Sequence, residues 1–214
     1  MGGSITDWVA GKIVSVDGLT LVGRTPEDFL IVQFESNVPF LVAAIGVEDV
    51  ILRENISPLL SYAKLPQFIV NVPSNTLWSG EAISLLNAAP AAFGTFGEIK
   101  KAASSVDVAR YRNQNWDFFQ RAIGQHDNVW AVTRVYGEVF EAHRHRGQSL
   151  KIAVVNGYHM SAEDVRSACD RFGKFDIAVK KNGYGSVTDA AKEAAASMGA
   201  QAVTFGGLMQ SLAR

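Results

Sequence analysis

Cysteine is almost absent from this sequence: Cys169 is the only one in 214 residues. A single thiol excludes an internal disulfide framework and any zinc site built from several cysteines. Cys169 falls on the apolar side of a predicted helix, where a buried and unreactive thiol is expected. Because disulfides are not used, we predict a cytoplasmic location.

Long apolar runs are also missing. The most apolar stretches, such as residues 38–47, are far too short to cross a bilayer and are interrupted by Pro39 and Gly46. The first twelve residues lack a basic region followed by an apolar one, so we expect no secretory signal. A membrane is therefore not among the expected partners.

Common catalytic motifs do not occur. The sequence has no GxSxG and no HExxH, and the predicted strand, loop and helix at residues 67–89 match neither the Walker A pattern nor GxGxxG. No activity follows from a motif, and whether the protein is an enzyme stays open.

The composition is that of an ordinary globular protein. Hydrophobic residues make up 48% of the chain, charged residues 19%, and the mean hydropathy is +0.08. This length can bury a full core. We predict a single α/β domain over residues 1–214, with a soft subdivision into a strand-rich part at 1–95 and an α/β part at 104–214. No internal sequence repeat is evident.

Charge is spread unevenly along the chain. Residues 1–99 contain 4 Lys and Arg against 10 Asp and Glu, whereas residues 100–182 contain 14 against 9. A local positive field concentrates phosphates even when the total charge is near zero. The second part could therefore bind nucleic acid or a nucleotide, although mutual attraction of the two parts or simple solvation would also account for the split.

Apolar spacing gives the fold class. Asp17-Gly18 is a hairpin signal within strand-like residues 11–46, which predicts an antiparallel start. Residues 149–207 alternate as strand, helix, strand, helix and strand, with capping pairs predicted at Ser161 with Asp164 and at Ser186 with Asp189. We predict an α/β fold: a mixed sheet with an antiparallel N-terminal part and a parallel βαβαβ C-terminal part, and helices on the faces.

The strongest candidate ligand site follows the strand at residues 175–181. In parallel sheets ligands gather beyond the carboxyl ends of strands, and ammonium, hydroxyl and loop N–H groups there suit phosphate. The alternative is a solvated strand end with a tight glycine turn. The predicted ligand-binding residues are Lys180, Lys181, Asn182, Tyr184, Ser186 and Thr188, together with Arg144 and Arg146 in the basic run further upstream.

A second candidate cluster lies around the HRHR run. His143 and His145 are two residues apart and face the same side of a predicted strand, so with Glu141 they could bind a metal. An exposed basic strand end is the alternative. The cofactor stays unknown, with a divalent metal as one option.

The order of elements from residue 114 onward resembles the core of the PD-(D/E)xK restriction-endonuclease-like nucleases: a helix at 114–124, two hairpin strands, a third strand, then a helix and a strand. That family uses an acidic residue and a (D/E)-x-K pattern on adjacent strands to hold a metal and a water. In this sequence Asp176 lies four residues before Lys180, whereas the pattern requires two. In QSLK, residues 148–151, Gln148 stands at the position where an acidic residue would favour metal binding. The resemblance implies Glu138, Glu141, Asp176 and Lys180 as candidate catalytic residues, without a complete motif.

Three functional hypotheses follow. The leading one is a protein that binds a phosphate-bearing ligand, nucleic acid or nucleotide, through the basic surface of its C-terminal half. The first alternative is a metal-dependent phosphodiesterase or nuclease with a degenerate core of the type just described. The second is a non-enzymatic assembly or partner-binding protein, which includes a homo-oligomer.

Overall fold

A computed structural model describes residues 4–214. Met1–Gly3, which begin the segment where no secretory signal is expected, lie outside the described residues. The chain forms two compact units, Met1–Arg112 and Asn113–Arg214, called unit 1 and unit 2 below. Each contains a mixed sheet with helices alongside it, so the predicted α/β class is confirmed.

Unit 1 is built on a five-stranded sheet in the order β1-β2-β3-β5-β7. The first two pairings are antiparallel and the last two are parallel, while β4 and β6 form a separate parallel pair. The strands are β1 Leu19–Arg24, β2 Leu30–Phe34, β3 Phe40–Ile45, β4 Val50–Ile51, β5 Phe68–Asn71, β6 Leu77–Trp78 and β7 Ala92–Thr95. The helices are α1 Ile5–Ile13, α2 Arg53–Ile56, α3 Gly80–Ala88 and α4 Phe96–Ala103, with 3₁₀ turns at Ser57–Leu60 and Val108–Arg110.

Unit 2 is built on a second five-stranded sheet in the order β12-β11-β10-β9-β8. Strands β8, β9 and β10 are antiparallel neighbours, and β10, β11 and β12 are parallel. The strands are β8 Val129–Tyr136, β9 Val139–Arg144, β10 Leu150–Val155, β11 Ile177–Lys180 and β12 Gln201–Val203. The helices are α5 Gln114–Gly124, α6 Ala162–Phe172, α7 Asp189–Ser197 and α8 Phe205–Ala213.

The two units share one topology. Each has a first helix, three antiparallel strands, two parallel crossovers and a closing helix. Even the small parallel pair of β4 with β6 has a counterpart, because Met160 and Val187 form a parallel bridge just before α6 and α7. The chain therefore repeats a structural unit that its sequence does not reveal.

Alternation along the strands builds the core of unit 2. Phe140, Ile152 and Ile177 point to one face of the sheet, where they pack against α5 and α8. Their strand neighbours Ala153 and Ala178 are also fully buried and face the other way, toward α6 and α7. Because both faces are covered, β10 and β11 are apolar nearly throughout, as the sequence predicts.

Unit 1 is packed in the same way. Val9 and Ile13 of α1 join Ile99 of α4 on one face of its sheet, against strand residues such as Val42 and Phe68. Near the C-terminal end of unit 1, burial of the Tyr111 side chain and the nearby carboxylate of Glu98 raise the pKa of Tyr111 to about 12.

Two local predictions need correction. Asp17-Gly18 does not join two strands: it follows α1, which begins with a capping box between Ser4 and Asp7. Gly18 has a φ of +81° in the turn that leads into β1. The glycine is therefore needed for a turn between helix α1 and strand β1, and not for a hairpin.

The N-cap of α7 is Thr188, whose Oγ1 accepts a hydrogen bond from the Ala191 N–H at 3.1 Å. Ser186 does not cap this helix, because its hydroxyl lies 2.9 Å from Nδ1 of His159. Ser161 caps α6 with Asp164 as predicted. Among residues 4–214, no helix is long and apolar enough to cross a membrane.

Candidate functional site

A cleft of about 310 Å³ opens where β10 and β11 end. We call this end of unit 2 the carboxyl edge; β9 begins here, since Ala153 of β10 pairs with Val139. Asn156 and Lys181 come directly after the two strands, and helix α6 forms one wall. The lining residues are Trp116, Glu138, Val154, Val155, Asn156, Asp164, Ser167, Ala168, Arg171, Phe172 and Lys181.

Two loops beside the cleft are bonded to each other. The loop at 156–161 follows β10 and the loop at 181–188 follows β11; we call them the paired loops. The Asn182 amide donates to the Gly157 carbonyl at 3.0 Å, and the Ser186 N–H donates to Nδ1 of His159 at 3.1 Å. In this bond Nδ1 of His159 is the acceptor, because a backbone N–H can only donate.

Gly185 allows the paired loops to approach this closely. Its φ is +73°, and a Cβ atom added to it would lie 1.9 Å from the carbonyl oxygen of Tyr158. No side chain fits at that distance, so the turn predicted at this glycine is a steric requirement. Tyr158 and Tyr184 project from the two loops with exposed fractions of 66% and 78%.

Lys180 is directed into the protein. Its side chain is buried, and its ammonium donates to the Asn182 carbonyl at 2.8 Å as well as to the Asn182 side-chain oxygen and the Tyr184 carbonyl. A buried ammonium needs such acceptors. Lys180 thereby fixes the conformation of the loop that follows it.

Lys181 lines the cleft. It is half-buried, and its ammonium has no hydrogen bond or ion pair with any residue between 4 and 214. Its backbone N–H donates to the Val155 carbonyl at 2.8 Å, which holds the residue in line with the end of β10. Of the two lysines, Lys181 is thus the one available to a ligand.

Arg171 supplies a second cation on the cleft wall. One of its guanidinium nitrogens lies 3.8 Å from Glu138, and the guanidinium sits 5.1 Å from the centre of the Phe172 ring. The other carboxylate, Asp164, accepts from the N–H and the hydroxyl of Ser161 in the capping box. Each carboxylate of the cleft is bonded to another residue, and no salt bridge joins either of them to Lys181.

The other predicted residues of the paired loops have structural bonds. Thr188 caps α7 and donates to the Met160 carbonyl at 2.9 Å, while Ser186 and Asn182 join the two loops. Just beyond them, a 2.8 Å ion pair with Lys192 lowers the pKa of Asp189. The Tyr184 side chain is exposed.

The basic run and Asp176 lie at the opposite end of the sheet, the amino edge, where β9 ends and β10 and β11 begin. Arg144 donates to the carbonyls of Gln148 and Ser211. Asp176 accepts from the Lys151 N–H at 2.7 Å. These residues therefore do not join Glu138 and Lys181 at the cleft.

The metal candidates do not form a cluster. His143 contacts the hydroxyls of Thr133 and Ser149, and the backbone of His145 bonds to Asn128. Glu141 pairs across the strands with Thr133 and Lys151. Within the described part of the chain, no three His, Cys, Asp or Glu side chains are grouped as a metal site requires.

The element order behind the nuclease resemblance is present in α5, β8 to β10, α6 and β11. The candidate catalytic residues are nevertheless divided between the two edges. Asp176 precedes β11 and Lys180 ends it, a separation of about 13 Å along an extended strand. Glu138 is the acidic candidate that reaches the cleft.

Sequence reasoning missed Trp116, Asn156, Ser167 and Arg171, which complete the cleft. Asn156 directly follows an apolar strand, and the rule that selected Lys181 would also have selected it. Ser167 and Arg171 lie four apart on α6, on the side between its buried and exposed faces. Nothing in the sequence connects Trp116 to them.

The corresponding edge of unit 1 has a different chemistry. Asn71 ends β5 at the position that Lys180 has in β11: each pairs with the last residue of the preceding parallel strand. The Asn71 amide donates to the carbonyls of Val47 and Pro73, so it also fixes the next loop. After β3, unit 1 has Glu48 and Asp49 where unit 2 has Tyr158 and His159.

Counted by unit, the charge asymmetry is smaller than it is along the sequence. Unit 1 has 8 Lys and Arg against 11 Asp and Glu, and unit 2 has 12 against 10. The local arrangement at the cleft is therefore more informative than the net charge. Neither a family model nor a curated protein nor a solved structure matches this chain.

Proposed function

We propose that the cleft at the carboxyl edge of unit 2 binds a nucleotide through its phosphate groups. The observation that carries this proposal is Lys181: it lines the cleft together with Arg171, and its ammonium has no hydrogen bond or ion pair within residues 4–214. Ammonium and guanidinium groups form charge-assisted hydrogen bonds with phosphate oxygens. An anionic ligand would give Lys181 the partner that it lacks within residues 4–214.

The size and lining of the cleft favour a small ligand. A volume of about 310 Å³ is at the lower end of the range for small-molecule sites. Trp116 offers an aromatic ring for a base or another flat group, and Asn156 and Ser167 offer polar atoms. Tyr158 and Tyr184 on the paired loops could contact parts of the ligand outside the cleft.

The unit 1 edge provides an internal contrast. It has the same strand order and a residue that fixes the same loop, but it carries Glu48 and Asp49 where unit 2 has Tyr158 and His159, and Val72 where unit 2 has Lys181. Acidic side chains at that place repel phosphate. We therefore assign nucleotide binding to unit 2.

Isothermal titration calorimetry with ATP, GTP, the corresponding monophosphates and adenosine tests the proposal. We expect binding that requires phosphate and weakens as salt is raised. Lys181→Met and Arg171→Gln should each lower the affinity about 10-fold or more, because each removes a hydrogen bond to a charged group.

Arg166→Gln is the matched control. Arg166 lies on the same helix, pairs with Glu163 at 3.9 Å and is outside the cleft, so its loss should leave the affinity unchanged. Equal binding of adenosine and ATP would contradict the proposal, as would an affinity that neither cleft substitution alters. Binding of an oligonucleotide but of no mononucleotide, weakened by Lys181→Met, would replace the nucleotide with nucleic acid as the ligand of the cleft.

A further inference from the structure

An exposed tryptophan stands on the edge strand of unit 2. Trp130 belongs to β8, the last strand of the sheet, and 63% of its surface is accessible. Tryptophan normally buries most of its large apolar ring. Its location is the amino edge, the end of the sheet opposite the cleft, because β8 starts where β9 ends.

The Trp130 ring lies against His143. Their ring centres are 5.3 Å apart and their planes are inclined by 35°. The imidazole is held on both sides: Nε2 lies 2.9 Å from the Thr133 hydroxyl, and Nδ1 lies 3.1 Å from the Ser149 hydroxyl. These contacts fix the orientation of His143 and give Trp130 a rigid aromatic neighbour.

A basic side chain lies in the bend that follows β9, the neighbouring strand. Arg146 is exposed, and Asn128 bonds both its backbone N–H, at 3.0 Å, and its carbonyl, at 3.1 Å. Its guanidinium forms no hydrogen bond or ion pair within residues 4–214, and neither does the exposed imidazole of His145. A fixed backbone therefore presents donor groups in the bend directly after β9, the strand that carries His143.

We propose that the Trp130–His143 pair stacks an unpaired base of single-stranded nucleic acid, with Arg146 binding a neighbouring phosphate. Every base has an aromatic face, and an aromatic ring beside a cation is how single strands are commonly bound. A docked protein would need a wider apolar surface, but the ring against Trp130 is that of His143, which in turn contacts the hydroxyls of Thr133 and Ser149. The cation beside the ring supplies the charge complementarity that a phosphate chain requires.

This site is separate from the cleft and does not depend on its assignment. Fluorescence anisotropy with fluorescein-labelled oligo(dT) and oligo(rU) of 15 nucleotides, and with a labelled 15-base-pair duplex, tests it. We expect the single strands to bind more tightly than the duplex, with affinity that falls as salt is raised. Trp130→Ala should weaken single-strand binding about 5- to 150-fold, the effect of one lost stacking contact.

Further variants make the test specific. Trp130→Phe keeps an aromatic face and should retain most of the affinity, whereas Arg146→Gln should reduce both affinity and salt dependence. Trp8→Ala removes a partly exposed tryptophan of unit 1 and should bind the oligonucleotides as the wild-type protein does. The proposal is overturned if no single strand binds, if Trp130→Ala binds as tightly as wild type, or if the duplex binds best.

Discussion

Lys180 and Lys181 are adjacent in the chain, but their side chains have different surroundings. The first is buried and bonded to the loop that follows it, and the second lines the cleft. Alternation along an extended strand explains the difference, because successive side chains point to opposite faces of the sheet. In unit 1, Asn71 has the place of Lys180 and likewise bonds to the next loop.

Substitution of Lys180 should therefore lower the stability of the protein, whereas substitution of Lys181 should lower its affinity for the ligand. Lys180→Met keeps the length of the side chain but removes the ammonium, so the carbonyls of Asn182 and Tyr184 lose their donor. We expect the free energy of unfolding in urea to fall by about 1–3 kcal/mol. Lys181→Met should change it by less than about 0.5 kcal/mol, because this side chain has no hydrogen bond or ion pair to lose among residues 4–214.

Circular dichroism at equilibrium measures both values. The assignment of Lys180 to the loop is contradicted if Lys180→Met unfolds at the wild-type urea concentration. A marked destabilisation by Lys181→Met would instead show that its ammonium contributes to the fold.

Part of the candidate site was predictable at this scale. Lys181 follows an apolar strand and precedes a helix start, and that pattern alone places it at the carboxyl edge. The burial of Lys180 could not be foreseen, because a lysine at the end of a strand usually reaches solvent. Arg171 and Trp116 come from helices far away in sequence, and only the packing of α6 and α5 brings them to the cleft.

Among the elements, those of unit 2 follow their sequence signals most closely. Helix α6 has a capping box, an apolar stripe and a terminal glycine that all agree, and β10 and β11 are apolar as doubly covered strands should be. Helix α1 was missed because Ile13 and Val14 precede Asp17-Gly18 and so suggest a strand. The packing of Val9 and Ile13 against the sheet stabilises this segment as a helix.

The paired loops depend on Gly185. Gly185→Ala must separate the loops, since its Cβ would lie 1.9 Å from the Tyr158 carbonyl oxygen and its φ of +73° disfavours any side chain. We expect a loss of more than about 1 kcal/mol in unfolding free energy. Hydrogen exchange should accelerate at the amides of Met160 and Thr188, which bond across the loops to Ser186 and Met160.

Gly183→Ala is the matched control for this prediction. Gly183 lies in the same loop, its added Cβ would meet no atom within 4 Å, and its φ is not positive. Exchange and stability should then stay close to those of the wild-type protein. If Gly185→Ala behaves like this control, the loops do not need their close approach.

At the scale of the whole molecule, the main feature is the repeated topology. The sequence does not reveal it because equivalent positions share only a physical property: Asn71 and Lys180 are both buried loop-fixing groups, yet they are chemically different. The segments between the equivalent strands also differ, since α2 has 4 residues and α6 has 11. A fold of this kind requires apolar alternation and correct turns, and many sequences provide both.

Each unit has the parts of an independent folding domain. Unit 2 has five strands, helices on both faces and a core in which Phe119, Phe140 and Ile152 are essentially inaccessible to solvent. We therefore expect residues 113–214, produced alone, to unfold in one cooperative transition and to retain the strand and helix content of unit 2. Circular dichroism during thermal and urea unfolding measures this.

The same fragment also tests where the ligand binds. If unit 2 carries the whole nucleotide site, residues 113–214 should bind ATP with the affinity of the full chain, and Lys181→Met should weaken both equally. Residues 1–112 should not bind it, because Glu48 and Asp49 stand at the corresponding edge. A cooperatively folded fragment 113–214 that fails to bind, beside a full chain that binds, would mean that unit 2 alone does not make the site.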